Sequence, residues 1–135
     1  MDPVREFLEE TIPRRFAENE GLARRVLGVY RIDVADAGSW TIEMVGAGRV
    51  VEGRTSYATP VSIALTRDDF ARLVAEPTSA WELFTAGRIE TGDVCRAIAL
   101  LEAFFPGTVR RAVPAPLYRA VFPLLASRAA KEVGP

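Results

Sequence analysis

From Val94 to Phe105 the chain reads Val-Cys-Arg-Ala-Ile-Ala-Leu-Leu-Glu-Ala-Phe-Phe, and its only charges are Arg96 and Glu102. Asp93 stands ahead of it as a capping residue and Pro106-Gly107 stops it. This is a helix with almost no polar face. A helix on the rim of a small domain shows a wide polar face. One that lacks it must be covered on both sides or must line an apolar cavity. The chain has 135 residues, the size of one ordinary domain. That leaves little second-layer material to cover such a helix, so a cavity for an apolar ligand is expected.

The rest of the chain alternates between two periods. Asp2-Pro3 starts a helix in which Val4, Phe7, Leu8, Ile12 and Phe16 recur at helical spacing, with Pro13 expected to bend or split it. Strands are predicted over 27–34, 40–45, 49–56 and 61–65, separated by turns at Asp36–Ser39 and Gly46–Gly48, and their spacing suggests an antiparallel meander. Thr66 and Asp69 form a capping-box-like pair for a helix to Glu76. Ser79 is expected to cap a short helix over 80–86, which Gly87 ends, and a fifth short strand follows over 88–91. Leu117, Tyr118, Val121, Phe122, Leu124 and Leu125 form an apolar stripe in a carboxy-terminal helix that Pro123 breaks. The fold class is α+β: a five-stranded, mostly antiparallel sheet covered by helices. One domain over 1–135 is expected, with an amino-terminal helix (3–20), a sheet-and-helix body (22–105) and a helical lid (115–131).

The chemistry that is absent narrows function further. The chain has no histidine, which removes a Ser-His-Asp triad, a Cys-His pair and most zinc sites. Lys131 is its only lysine, so a Schiff-base mechanism is not expected. Gly87 to Asp93 has the glycine spacing of a phosphate-binding loop, but Asp93-Val94 stands where that loop needs lysine and a hydroxyl residue. Cys95, the sole cysteine, reads as a buried structural residue and allows no intramolecular disulfide. The net charge of −1 argues against nucleic acid as a partner. The charged start, Met1 to Glu6, is unlike a secretory leader, and a cytoplasmic location is expected.

Three segments in order resemble the sterol carrier protein type 2 lipid-transfer domain family. They are Trp40-Thr41-Ile42-Glu43-Met44 with its glycine turn, Val61 to Phe70, where a strand passes directly into a helix, and Leu83 to Asp93. The ordered set spans about 22–105. The resemblance implies a five-stranded sheet with helices around an apolar tunnel, and binding of a sterol, fatty acid, fatty acyl chain or similar lipid without chemical change or cofactor. It also implies a tunnel lined by Trp40, Ile42, Trp81, Phe84, Ile98, Leu101, Phe105, Phe122 and Leu125. The tail lacks the targeting signal of peroxisomal members, which fits a bacterial cytoplasmic protein.

Two other functions compete with lipid carriage. An accessory subunit could present lipid intermediates to a partner enzyme, with its apolar tail as the docking element. A cyclase or isomerase could use the cavity as a mould, with Tyr30, Tyr57, Glu43 or Asp69 as acid or base. Transient contact with a membrane surface is a further expectation, since Arg14-Arg15, Arg24-Arg25 and Arg110-Arg111 could meet anionic headgroups.

Overall fold

The computed structural model describes residues 2–53, 60–106, 113–116 and 119. The amino-terminal segment is a continuous helical run in three pieces: α1 (Pro3–Glu6), a π-helical turn (Phe7–Thr11) and α2 (Ile12–Glu18). Asp2 caps it by accepting from the Val4 N–H at 3.0 Å. Pro13 does not split the run. A proline has no N–H to give and its ring crowds the preceding turn. The wider π turn just ahead absorbs that misfit. Its Ile12 N–H bonds the Phe7 carbonyl, so Phe7 and Ile12, five residues apart, fall on one face. Both are buried, with Val4, Leu8 and Phe16.

A 3-10 turn (Ala23–Val26) leads into β1 (Gly28–Ala35), β2 (Gly38–Met44), β3 (Arg49–Glu52), β4 (Val61–Thr66) and β5 (Glu90–Thr91). The expected end of the third strand falls within 54–59, outside the described residues. The strand order is β3-β2-β1-β4-β5, which corrects the meander. β4 does not follow β3 in space; it crosses to the far side of β1 and pairs with it in parallel, Ile32 opposite Ile63 and Val34 opposite Leu65. The other pairs are antiparallel, with Tyr30 opposite Ile42 and Ile32 opposite Trp40. The sheet is therefore mixed, mostly antiparallel with one parallel pair. Tyr30, Ile32, Val34, Trp40, Ile42, Met44, Ile63 and Leu65 form its buried face. On the opposite face Thr41 and Glu43 are also buried. Thr41 Oγ1 donates to the Gly53 carbonyl at 2.8 Å, and Glu43 accepts from Arg49 Nε at 3.0 Å.

Three further helices follow: α3 (Arg67–Ala75), α4 (Ala80–Thr85) and α5 (Val94–Phe104). Thr66 caps α3 by accepting from the Asp69 N–H at 3.2 Å. The Asp69 carboxylate instead takes Arg88 Nε on both oxygens, each at 2.9 Å, which joins α3 to the approach of β5. Ser79 does not cap α4. It sits in a 3-10 turn (Pro77–Ser79) and its hydroxyl donates to the Glu76 carbonyl at 2.7 Å. Asp93 does cap α5, accepting from the Arg96 N–H at 3.1 Å.

The hydrogen bond from Arg88 holds the Asp69 carboxyl below its ordinary pKa of 3.8, against the opposing effect of burial. A depressed carboxyl stabilises the fold above the unfolded value, and that stabilisation is lost as pH falls through the folded value. Arg88 is 55% exposed, so solvent screens the pair and keeps its contribution small. Asp69→Asn is therefore expected to be less stable than the parent at pH 7, with the gap closing at a pH below the ordinary carboxyl value of 3.8. Urea midpoints at both pH values measure it, and a gap that persists at low pH would rule out the ion pair as its origin.

α5 is covered on two sides. Ala97, Ile98, Ala99, Leu100, Ala103 and Phe104 are all buried. The scarcity of second-layer material is made good by the Ala23–Val26 turn, which packs on α5. Arg96 reinforces that contact by donating to the Leu27 carbonyl at 3.1 Å.

Candidate functional site

The buried face of the sheet, the amino-terminal helix, α3 and α5 line a small cavity of about 40 Å³. Every residue on its wall is apolar. The π turn and α2 supply Phe7, Leu8 and Ile12; the sheet supplies Ile32, Ile42, Ile63 and Leu65. α3 contributes Phe70, Leu73 and Val74, and α5 contributes Ala97, Leu100, Leu101 and Phe104. Phe84, Ile89 and Phe105 complete it. Ligand pockets run to roughly 300–1,000 Å³. The cavity that the described residues line is smaller than that, and the expected tunnel is not resolved by them alone. A lipid would have to displace side chains to enter, and the phenylalanines are the bulkiest of these.

Aromatic contacts and one cation close the end of the cavity nearest Phe105. Phe7 stacks on Phe105 with ring centroids 5.8 Å apart and meets Phe70 edge-on at 5.8 Å. Arg15 lies over both rings of the stack, 5.8 Å from Phe7 and 5.5 Å from Phe105. Its Nη1 donates to the Phe104 carbonyl. The arrangement puts a half-buried guanidinium at the rim of a wholly apolar space.

Of the residues expected at the site, Ile42, Phe84, Leu101 and Phe105 stand on the cavity wall. Trp40, Trp81 and Ile98 do not. Trp40 is fully buried beneath α1, with the Arg5 guanidinium 5.5 Å from its ring, and it fills the core there. Ile98 is buried too, but one residue turns the helix by about 100°, and that takes it off the face carrying Ala97 and Leu101. Trp81 lies in an outer groove beside Phe84. Phe122 and Leu125 lie outside the described residues, as does the rest of the expected lid over 120–131. The wall residues of α3 and of the amino-terminal helix were legible as inward-facing stripes. Nothing local marked them as facing a void.

The groups considered for acid–base work are placed elsewhere. Tyr30 is fully buried and its hydroxyl donates to the Val26 carbonyl at 3.3 Å. Glu43 and Asp69 are engaged by Arg49 and Arg88, and Tyr57 lies outside the described residues. None of the first three lines the cavity. A larger cleft of about 490 Å³ opens on the other sheet face, between Asp33, Thr66, Asp69, Arg88 and Glu90. It is open, and its charged groups are engaged: Asp33 and Asp69 already hold partners there. The apolar cavity, with no polar residue on its described wall, is the better candidate for ligand binding on chemistry, despite its size. Among the described residues, no helix is long and apolar enough to cross a membrane.

Comparison with known proteins bears on this geometry. No curated protein matches the chain in sequence. Among solved structures, the solution structure of palmitated SCP2L2 from Aedes aegypti is 24% identical with a TM-score of 0.59, covering 76% of this chain and 93% of that one. The sterol carrier protein domain 2 of Helicoverpa armigera is 21% identical with a TM-score of 0.56, covering 81% and 85%. A UbiJ-SCP2 ubiquinone synthesis protein is 18% identical with a TM-score of 0.51, covering 76% and 90%. At these identities the likeness establishes the fold. The profile of the SCP-2 sterol transfer family matches residues 8–98, well over half of the chain, and the chain therefore belongs to that family.

Proposed function

We propose that this protein binds and carries a single-chain anionic lipid, a fatty acid or a close relative, without changing it chemically. The observation that carries the reading is the cavity whose described wall is wholly apolar, with the Arg15 guanidinium at its rim. An apolar wall rewards an alkyl chain by roughly 25 cal/mol for each Å² removed from water. Among the described residues its wall offers a reacting group no acid, base or nucleophile. Arg15 supplies what a carboxylate needs, and a guanidinium over aromatic rings is held in place to receive it. Family membership supports lipid transfer in general, and the neighbour described as palmitated supports a fatty acid in particular.

Native mass spectrometry of the purified protein, followed by organic extraction, tests the reading. A stoichiometric lipid released unchanged is the expected result. An empty protein that takes up neither palmitic acid nor cholesterol would sink it. Arg15→Gln is expected to weaken palmitic acid about tenfold while changing hexadecanol less than about twofold, since only the acid gains from the charge. Equal losses for both would remove Arg15 from headgroup recognition.

A second reading is favoured by the fold likeness to a ubiquinone synthesis protein. Here the chain is an accessory subunit that holds an apolar intermediate for a partner enzyme. Truncation after Pro114 separates the two. Loss of partner capture with lipid binding intact supports the accessory role, and a truncated protein that behaves like the parent speaks against it.

A further inference from the structure

The cavity shares a wall with an outer groove of about 370 Å³, which runs between α4, β5 and the start of α5. Phe84 and Ile89 line both spaces. Ile89 is buried, whereas Phe84 is only half-buried. Beyond Phe84 the groove is walled by Trp81 and Val94, and Val94 is 40% exposed, an apolar residue open to water at the outer lip.

Phe84 sits where it can yield. α4 has six residues and no side-chain cap at its amino end. Among the described elements it packs chiefly on its own preceding 3-10 turn. Gly87 follows at φ 73°, with open space around its Cα. Ala80 and Leu83 anchor this short helix in the core, while Phe84, on its half-buried side next to the turn at Gly87, is the side chain free to change rotamer.

The groove and Arg15 lie at opposite ends of α5. Val94 begins the helix, and the Phe104 carbonyl that Arg15 binds ends it. Eleven residues at 1.5 Å each separate these ends by about 16 Å. A carboxylate held at Arg15 therefore points its alkyl chain along α5 toward Phe84.

We propose that Phe84 is a gate that sets chain-length specificity, and that the methyl end of a long chain pushes past it into the Trp81–Val94 groove. The proposal rests on the carrier reading above. Chains shorter than the α5 span end inside the cavity and never meet the gate. Longer chains displace the Phe84 ring and add apolar contact outside. The polar rim of Thr85, Glu90 and Thr91 suits a terminal methyl that reaches the lip of the groove and stops there.

Titration calorimetry with decanoic and octadecanoic acids tests this on the full chain. Val94→Asp puts a charge at the groove's lip without touching the interior, and an acidic residue is favourable in a first helical turn. It is expected to weaken octadecanoic acid about tenfold and decanoic acid less than about twofold. Phe84→Ala is expected to shift preference toward octadecanoic acid by about tenfold. Equal effects on both acids in Val94→Asp, or none on either, would overturn the gate while leaving the carrier reading standing. A parent protein that binds neither acid would overturn both.

Discussion

Leu100→Ala is expected to lower the unfolding free energy of the ligand-free protein by about 3 kcal/mol, and saturating palmitic acid is expected to restore most of that loss. Leu100 is 2% exposed and stands on the cavity wall. Its truncation forfeits the buried side chain and enlarges a void that is only about 40 Å³ in the parent. In an ordinary core that void has no remedy. Here an alkyl chain can fill it, so the variant should bind palmitic acid more tightly than the parent. Ligand at about a hundred times its Kd stabilises by about 2.7 kcal/mol, enough to offset such a loss. Ile98→Ala is the control. Ile98 is 1% exposed on the same helix but off the cavity wall. It should lose a similar amount, with no extra rescue by palmitic acid over the parent. Thermal or urea unfolding with and without the lipid decides the matter. Equal rescue of both variants would mean that the lipid binds elsewhere.

That contrast between neighbouring residues shows how far the sequence could be read. An apolar run with two charges identifies a helix buried on most of its circumference, and α5 is one. The run does not say which part of the circumference meets a void, because Ala97, Ile98, Leu100 and Leu101 are all good core residues. The answer depends on partners far away in the chain, here the Ala23–Val26 turn on one side and the cavity on the other. Side-chain size does not mark a wall residue either. Trp40 is the largest fully buried side chain, yet it serves to fill the core beneath α1. Ile32, Ile63, Leu73 and Leu100 make up the wall with no distinguishing mark.

Strand identity was legible for the same reason that strand partners were not. Alternation at Tyr30, Ile32 and Val34, or at Ile63 and Leu65, reports only which face is buried. It is equally consistent with β4 beside β3 or beside β1. The choice of the parallel β1 edge is a long-range decision, and local spacing pointed to the simpler meander. Proline was misleading in a more specific way. Pro13 predicts a bend or a split, and a single π turn accommodates the missing N–H and the bulky ring without a split. The same turn brings Phe7 and Ile12 onto the cavity wall. Two caps were legible although each carboxylate also meets an arginine, Asp2 with Arg67 at 2.7 Å and Asp93 with Arg96 at 3.9 Å. Asp2 and Asp93 cap as expected, whereas the Asp69 carboxylate is drawn to Arg88 and the Ser79 hydroxyl to a carbonyl within its own turn.

The β2–β3 turn carries the other large effect. Gly48→Ala is expected to destabilise the protein by roughly 2–4 kcal/mol, through backbone strain and a steric clash together. Gly48 has φ 84°, in the left-handed region that costs an L-residue. A Cβ there would stand 2.6 Å from two carbons of the Phe16 ring. Phe16 has little freedom to retreat, being 6% exposed and edge-on to Phe104 at 5.9 Å. Its displacement would press on the end of α5 that Arg15 and Phe105 close. Gly46→Ala separates the two contributions. Gly46 also has a positive φ, 61°, but its Cβ would meet nothing within 4 Å. It should lose only about 1 kcal/mol, the strain alone. Urea unfolding of the two variants gives the clash by difference, and equal losses would show that Phe16 moves aside freely. Because Phe16 leans on Phe104, Gly48→Ala should also perturb palmitic acid binding where Gly46→Ala does not, linking a turn on one edge of the sheet to the rim of the cavity.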